Sequence, residues 1–151
     1  MGDLTEHFSW AELTATSHTD LLAANRREAE AYRANLTVTA ELLEQVRAIL
    51  AEPVAVSSAF RGTSLNTKVG GQKTSQHLVG LAADIKVKDI EAAFQKLLAA
   101  GTAGKIRWGQ LLQEGTWLHI SSEKDRNPQR CMEFGRKVRG VVLIEGRVMI
   151  A

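Results

Sequence analysis

The sequence predicts an α+β fold, with a small, mostly antiparallel sheet and N-terminal helices packed on it. Two observations support this class: the N-terminal third has apolar residues at helical spacing, and most later segments alternate apolar and polar residues as strands do. A single amphipathic helical segment separates these strands, an order that favours α+β over a regular alternation of parallel strands and helices. With 151 residues, no repeat and no linker, residues 1–151 are predicted to form one domain.

Two helices are predicted at the N-terminal end. Residues 18–36, "HTDLLAANRREAEAYRANL", form the first, and Ser17 or Thr19 could cap it. Residues 37–53 form the second, and Pro53 follows its end. The apolar residues of the second helix recur at helical spacing: Leu42, Leu43, Val46, Ile49 and Leu50.

The middle of the chain predicts two strands separated by a long loop. Residues 54–60, "VAVSSAF", are a short strand, and residues 61–77 are a polar loop rich in Gly, Ser and Thr. Loops of this length are usually functional or disordered. Residues 81–87, "LAADIKV", alternate as a strand does, with Ala83, Ile85 and Val87 on one face and Ala82, Asp84 and Lys86 on the other.

The last part of the chain predicts one helix and two pairs of strands. Residues 88–101 form an amphipathic helix with Asp89 as its N-cap and Gly101 at its end. Residues 105–122, "KIRWGQLLQEGTWLHISS", are two strands joined by a turn near Glu114 and Gly115. Residues 141–151 are a second hairpin with Glu145-Gly146 as the turn.

The charge balance argues against nucleic acid as a partner. Nineteen basic and 17 acidic residues leave a net charge of +2, whereas nucleic-acid binding usually needs a concentrated basic face. The locally basic stretch from Lys124 to Arg147 is interpreted as a solvated face, with weak attraction to a polyanionic cell-wall polymer as the alternative.

The cysteine count and the N-terminal sequence limit the remaining classes of protein to which the chain could belong. Cys131 is the single cysteine, so no internal disulfide can form and a Cys-rich zinc site is excluded. The N-terminus lacks the basic and apolar regions of a signal peptide, and no apolar run is long enough for a membrane span. We therefore expect synthesis in the cytoplasm and no stable membrane association; the sequence does not indicate an oligomeric state.

Three side chains are candidates for a metal site. The stretch "SQHLVGLAAD" supplies His77 and Asp84, and "TWLHISS" supplies His119 on the strand face opposite Leu118 and Ile120. Two strands of one sheet can bring Asp84 and His119 together, while His77 arrives from the preceding loop. Two imidazoles and one carboxylate with an open fourth position are typical of a catalytic zinc site. The alternative is that these histidines bind nothing.

The two remaining histidines do not extend this site. His7 and His18 lie in N-terminal sequence without carboxylates at metal-ligand spacing, so both are interpreted as structural or exposed.

The segment "SSAFRGTSLNTKVGGQKTSQHLVGLAADI", followed by "WLHIS", closely resembles the zinc D-Ala-D-Ala carboxypeptidase family. That family includes phage L-alanyl-D-glutamate endolysins and shares its fold with the hedgehog signalling domain. Its S-x-H-x6-D element, the aromatic residue before an arginine and W-x-H all occur here in order. "HFSWAEL" and "LLEQVRAIL" resemble the phage-type branch, so the likeness covers residues 7–122. It implies a hedgehog-like fold and one Zn²⁺ per chain, held by the three candidates above.

The resemblance also implies roles for residues around the metal. Arg61 matches the arginine that holds substrate or stabilises developing negative charge, and Ser75 matches a serine that donates a hydrogen bond to substrate. Asn66 and Gln72 are further loop candidates for substrate contacts, and Trp117 is either a cleft wall or a packed aromatic.

The general base departs from the pattern common in the family. Many members place Asp or Glu three residues before the last histidine, where this chain has Thr116, which cannot accept a proton at neutral pH. Glu114, in the turn leading to the same strand, is therefore assigned as general base and acid. The alternative is that Glu114 is an exposed turn residue.

The predicted function is a zinc metallopeptidase that hydrolyses a peptide bond in bacterial peptidoglycan stem peptides through a metal-activated water. It acts either as a D-Ala-D-Ala carboxypeptidase or as an endolysin-type endopeptidase, after phage-type release or carried in a virion. A catalytically silent zinc module that binds the cell wall is the alternative, and a plain globular domain is a third interpretation.

Overall fold

The computed structural model describes residues 2–71, 73, 75–124, 141–144 and 147–150. Three sequence predictions fall outside these residues: the loop candidate Gln72, the turn residues Glu145 and Gly146, and most of the basic stretch, which includes Cys131.

A four-stranded antiparallel sheet, in the order β1-β2-β4-β3, confirms the predicted α+β class. Its strands are β1 (Ala55–Ser58), β2 (Ala82–Lys86), β3 (Leu111–Glu114) and β4 (Trp117–Ser121). The turn between β3 and β4 is tight, because Glu114 pairs directly with Trp117 and Gly115 takes a φ of 62°. The C-terminal strands β5 (Val141–Ile144) and β6 (Arg147–Ile150) pair antiparallel as a second sheet, as the hairpin pattern predicted.

Five α-helices are present in the described chain: α1 (Trp10–Leu13), α2 (Leu22–Ala29), α3 (Arg33–Leu50), α4 (Thr63–Lys68) and α5 (Ile90–Thr102). Single 3-10 turns cover Thr19–Leu21, Glu30–Tyr32 and Gln76–Val79. None of the described helices combines the length and the apolar character needed to cross a bilayer.

The boundaries of the N-terminal helices differ from the prediction. The long helix begins at Arg33 rather than at residue 37, and it ends at Leu50, which is followed by Ala51 in the left-handed conformation. Neither Ser17 nor Thr19 caps a helix. His18 is the N-cap residue of the 3-10 turn Thr19–Leu21, and no side chain caps the start of that turn. The side-chain cap lies earlier and was not predicted, as Ser9 forms a capping box with Glu12 at the start of α1.

Helices α3 and α5 pack on one face of the sheet and form the core with it. The residues that alternate towards this face are fully buried, among them Ala83, Ile85, Leu118 and Ile120. The opposite face of β2 and β4 carries Asp84 and His119. Burial of the apolar set therefore fixes the register that turns the polar set towards the other side.

The predicted polar loop contains the short helix α4, which the sequence analysis missed. Gly62 is the N-cap residue of α4, and Leu65 is the apolar side chain that the helix buries. One buried apolar residue within six gives no helical periodicity, so the pattern could not indicate this helix.

The end of α5 is also displaced from the predicted position. Gly101 lies inside the last turn, and Gly104, with a φ of +75°, ends the helix. The N–H of Gly104 bonds the carbonyl of Gly101 at 3.1 Å, and the N–H of Lys105 bonds that of Ala100 at 2.9 Å. These two bonds form a Schellman motif, which needs glycine in the left-handed position.

Candidate metal centre

The pairing of β2 with β4 places Asp84 directly opposite His119. Opposed residues of an antiparallel pair project to the same face. Their side chains meet there, with Asp84 Oδ1 3.0 Å from His119 Nδ1.

The third ligand candidate, His77, lies in the 3-10 turn before β2. The hydroxyl of Ser75 caps this turn by accepting from the N–H of His77 at 3.2 Å. The carbonyl of Ala59 lies 2.6 Å from His77 Nδ1, and a carbonyl can only accept, so Nδ1 carries the ring hydrogen. His77 Nε2 therefore keeps its lone pair and faces Asp84 Oδ1 at 3.4 Å.

Together these residues form a compact group that could hold a metal ion. One ligand atom each from His77, Asp84 and His119 lie within 4.8 Å of one another, and the two histidines are buried. The imidazole rings stand edge to face, with centroids 5.3 Å apart. Two imidazole nitrogens and one carboxylate oxygen are a donor set that fits Zn²⁺, with a coordination position left for water or substrate.

The electrostatics of the cluster favour the protonation states that a metal requires. Burial alone would raise the pKa of the Asp84 carboxyl, but the neighbouring imidazoles of His77 and His119 hold that pKa well below its usual range. Burial lowers the pKa of His77, although Asp84 opposes this effect. An ionised carboxylate and a neutral imidazole are the forms that bind metal.

Arg61 lies beside the candidate metal ligands. Its backbone N–H donates to the carbonyl of His77 at 3.0 Å, and its Nη2 donates to the hydroxyl of Ser75 at 3.1 Å. Burial lowers the pKa of Arg61, while the negative charges of Asp84 and Glu114 raise it. The Nε–H of Arg61 is buried without a hydrogen-bond acceptor, so it remains available to a ligand.

Glu114 and Trp117 lie on the same sheet face as the candidate ligands Asp84 and His119. Glu114 opposes Trp117, and Leu112 opposes His119, so side chains at these four positions share that face. Glu114 is also close enough for its charge to act on Arg61. The indole Nε1–H of Trp117 is buried without a partner. Thr116 is exposed in the hairpin turn.

Asn66 is located on α4 in the loop region that the sequence analysis associated with substrate. It is buried, and its side chain packs on Gly71, where a Cβ would come within 2.1 Å of Oδ1. Gly71 therefore permits this close approach, because a Cβ at that position would force the Asn66 side chain to shift.

The remaining two histidines lie outside the cluster. Glu44 accepts from the backbone N–H of His7 and lies 2.7 Å from His7 Nδ1, so His7 has a structural contact. No local pattern predicts this carboxylate, because it is 37 residues away along the chain. His18 is partly exposed, and its N–H donates to the hydroxyl of Thr16.

Two residues of the site were not singled out from the sequence. Gln76 Oε1 lies 3.0 Å from His119 Nε2, and Gln76 Nε2 donates to the hydroxyl of Ser121 at 3.0 Å. Ser121 shares the strand face of His119, which the alternation does indicate. The contact of Gln76 with a histidine 43 positions away has no local signal.

Comparison with known proteins agrees with this geometry. One relative, described as zinc D-Ala-D-Ala carboxypeptidase from Streptomyces albus G, is 32% identical over 80 residues. The match covers 52% of this chain and 31% of that relative, so it spans less than a third of the relative's length. A family model described as Peptidase M15 matches residues 6–121, which is more than half of the chain and includes all three metal-ligand candidates. The chain therefore belongs to the Peptidase M15 family.

Proposed function

We propose that this chain is a zinc peptidase that hydrolyses a peptide bond in the stem peptides of bacterial peptidoglycan. The observation that carries the proposal is the cluster of His77, Asp84 and His119, with ligand atoms within 4.8 Å of one another. The relative named zinc D-Ala-D-Ala carboxypeptidase supports both the metal and the substrate class.

Zinc bound at this site would lower the pKa of water from about 15.7 towards 7 and polarise a carbonyl oxygen. Arg61 is suited to binding substrate, because its buried Nε–H lacks an acceptor while Nη2 is held by Ser75. A guanidinium can direct two donors at one carboxylate or oxyanion. The indole N–H of Trp117 offers a further donor on the same face.

Glu114 is the proposed general base and acid. The end of β3 turns its carboxylate to the face of His119, and its charge acts on Arg61 across the site. A base in this position would take a proton from the attacking water and return it to the leaving amine.

A catalytically silent module that binds zinc and cell wall is the second candidate. It is favoured by Thr116, which stands where many relatives of this type have an acidic residue and which is exposed in the turn. In that case peptidoglycan would retain the chain without being cut.

The test is mass analysis of peptidoglycan and of a stem peptide ending in D-Ala-D-Ala after incubation with the zinc-loaded chain. Release of terminal D-Ala would identify a carboxypeptidase, and cleavage between L-Ala and D-Glu would identify an endopeptidase. For either outcome, delivery by phage-type release or in a virion is proposed from the resemblance of "HFSWAEL" and "LLEQVRAIL" to the phage-type branch.

Matched histidine variants provide the control for this experiment. His119→Ala should abolish cleavage, whereas His18→Ala, outside the cluster, should retain it. Absence of cleavage by the zinc-loaded native chain across several wall types would exclude the peptidase, and retention on the wall without cleavage would favour the silent module.

A further inference from the structure

Both ring nitrogens of His119 face hydrogen-bond acceptors. Nδ1 lies 3.0 Å from Asp84 Oδ1, and Nε2 lies 3.0 Å from Gln76 Oε1. A neutral imidazole carries one ring hydrogen and can donate to only one of them. A metal can bind Nδ1 beside Asp84 only if the ring hydrogen is on Nε2. Metal binding therefore depends on which of the two acceptors receives the hydrogen bond from the ring.

The orientation of the Gln76 amide favours a ring hydrogen on Nε2 of His119, which leaves Nδ1 of that ring without one. Its NH₂ group donates to the hydroxyl oxygen of Ser121 at 3.0 Å, and that oxygen also accepts from the backbone N–H of Gln110 at 2.9 Å. With the NH₂ group held there, Oε1 points to His119 Nε2 and can only accept. Gln76 and Ser121 are both fully buried, so water does not compete for these bonds.

The two histidines of the cluster are therefore oriented by different means. A backbone carbonyl, that of Ala59, accepts from His77 Nδ1, and no substitution at residue 59 removes it. A side chain, that of Gln76, accepts from His119 Nε2. The orientation of His119 thus depends on one replaceable residue.

We propose that Gln76, held by Ser121, is a positioning residue that fixes the Nε2–H tautomer of His119 and so prepares its Nδ1 to bind the metal. The inference rests on the metal site of the proposed function and makes no use of the peptidase reaction. Carboxylate, carbonyl or similar acceptors on the second nitrogen of a metal-binding histidine commonly have this role.

The test measures zinc affinity by competition with a chelator for three variants of the full chain. Gln76→Met keeps the length of the side chain but cannot accept, so zinc should bind about 10- to 100-fold more weakly. Gln76→Glu restores an acceptor for Nε2–H and should recover most of the affinity. Gln113→Met is the matched control, because Gln113 opposes Leu118 and projects from the other face of the sheet.

A spectroscopic measurement on the native chain keeps the inference testable even if Gln76→Met does not fold. In the zinc-loaded native protein, the Nε2–H of His119 should give a ¹H–¹⁵N signal protected from solvent exchange, and Gln76→Glu should retain it. Rapid exchange of that hydrogen in the native chain would overturn the inference, as would unchanged zinc affinity in folded Gln76→Met. A chain that binds zinc in this Gln76-dependent way but cuts no peptide would leave the inference intact and exclude the proposed peptidase.

Discussion

Asp84 and His119 are direct partners in the β2–β4 ladder, and their side chains meet at 3.0 Å between Oδ1 and Nδ1. The two strands thus position two of the three candidate metal ligands by regular backbone hydrogen bonding. Because their other faces are packed into the core, a shift of register would separate the ligands and expose Ile85 and Leu118 together. The stability of the sheet and the geometry of the metal centre therefore depend on the same pairing.

Replacing Asp84 by Asn should weaken zinc binding without unfolding the chain. The amide has the same shape but lacks the negative charge that the two imidazoles stabilise. Loss of a residue that only hydrogen-bonds a metal ligand weakens metal affinity about 10- to 100-fold. Loss of the charge of a ligand itself should weaken zinc affinity at least as much. Chelator competition measures the effect. Asp89→Asn is the control, since Asn caps α5 as well as Asp does; equal affinities for both variants would contradict Asp84 as a ligand.

Glu114→Gln should reduce the rate of peptide cleavage by about 10²- to 10⁴-fold while zinc remains bound. The amide cannot accept the proton, but its size preserves the end of β3. The turnover number for a stem peptide and the zinc content of the same sample are the two measurements. Glu41→Gln, at an exposed position of α3, should leave both unchanged. Full activity in Glu114→Gln would assign the base to another group.

Features of the fold and the candidate site could be predicted from the sequence where they depend on residues close together in the chain. The cluster of His77, Asp84 and His119 could be predicted because strand alternation places Asp84 and His119 on one face and because the motif spacing is distinctive. Short-range rules failed where tertiary contacts decide the outcome. Gln76 and Ser121 are brought together over 45 residues, and no local pattern encodes that distance.

The position of Arg61 depends on a similar long-range contact. Asn25, buried in α2, donates to the carbonyl of Phe60 at 3.3 Å and accepts from the N–H of Gly62 at 2.7 Å. It thus holds the backbone on both sides of Arg61. Its NH₂ group also donates to the carbonyl of Thr14.

Asn25→Ala should lower the free energy of unfolding by at least about 2 kcal/mol, because it leaves several buried backbone groups without partners. Urea denaturation measures the change. Asn35→Ala removes a single bond, to the carbonyl of Val79, at a partly exposed position where water can replace it. If Asn25→Ala lowers the free energy of unfolding no more than Asn35→Ala does, the hydrogen bonds of Asn25 around Arg61 contribute little to stability.

The contact between Glu44 and His7 predicts a pH-dependent contribution to stability. Partial burial would raise the pKa of Glu44, but hydrogen bonds from the backbone and ring of His7 outweigh it and lower that pKa. A carboxyl whose pKa is lower in the folded state than in the unfolded chain stabilises the fold at pH values above the ordinary glutamate pKa of about 4.3. This contribution is lost as the pH falls through the folded-state pKa.

The native chain should therefore exceed Glu44→Gln in unfolding free energy near neutral pH, by no more than about 1 kcal/mol because the pair is partly exposed. The difference should shrink as the pH falls below about 4. Denaturation of both proteins at several pH values tests this. A difference that stays constant into acid would mean that the charge of Glu44 is not the cause.

Gly101 is required by the close approach of a tryptophan rather than by the end of a helix. A Cβ at this position would lie 2.4 Å from Cη2 and 2.9 Å from Cζ2 of Trp108, which is itself 1% exposed. Alanine is favoured over glycine inside a helix by about 1 kcal/mol, so helix propensity alone predicts that Gly101→Ala stabilises the chain. Overpacking a filled core costs about 1–3 kcal/mol, and we expect this cost to dominate.

A double-mutant cycle separates these two effects. Trp108→Phe removes the outer ring atoms that the new methyl group would contact, so in this background Gly101→Ala should be neutral or stabilising. In the native background the same change should lower the free energy of unfolding, measured by urea denaturation. If Gly101→Ala costs the same in both backgrounds, contact with Trp108 is not the reason for glycine at this position.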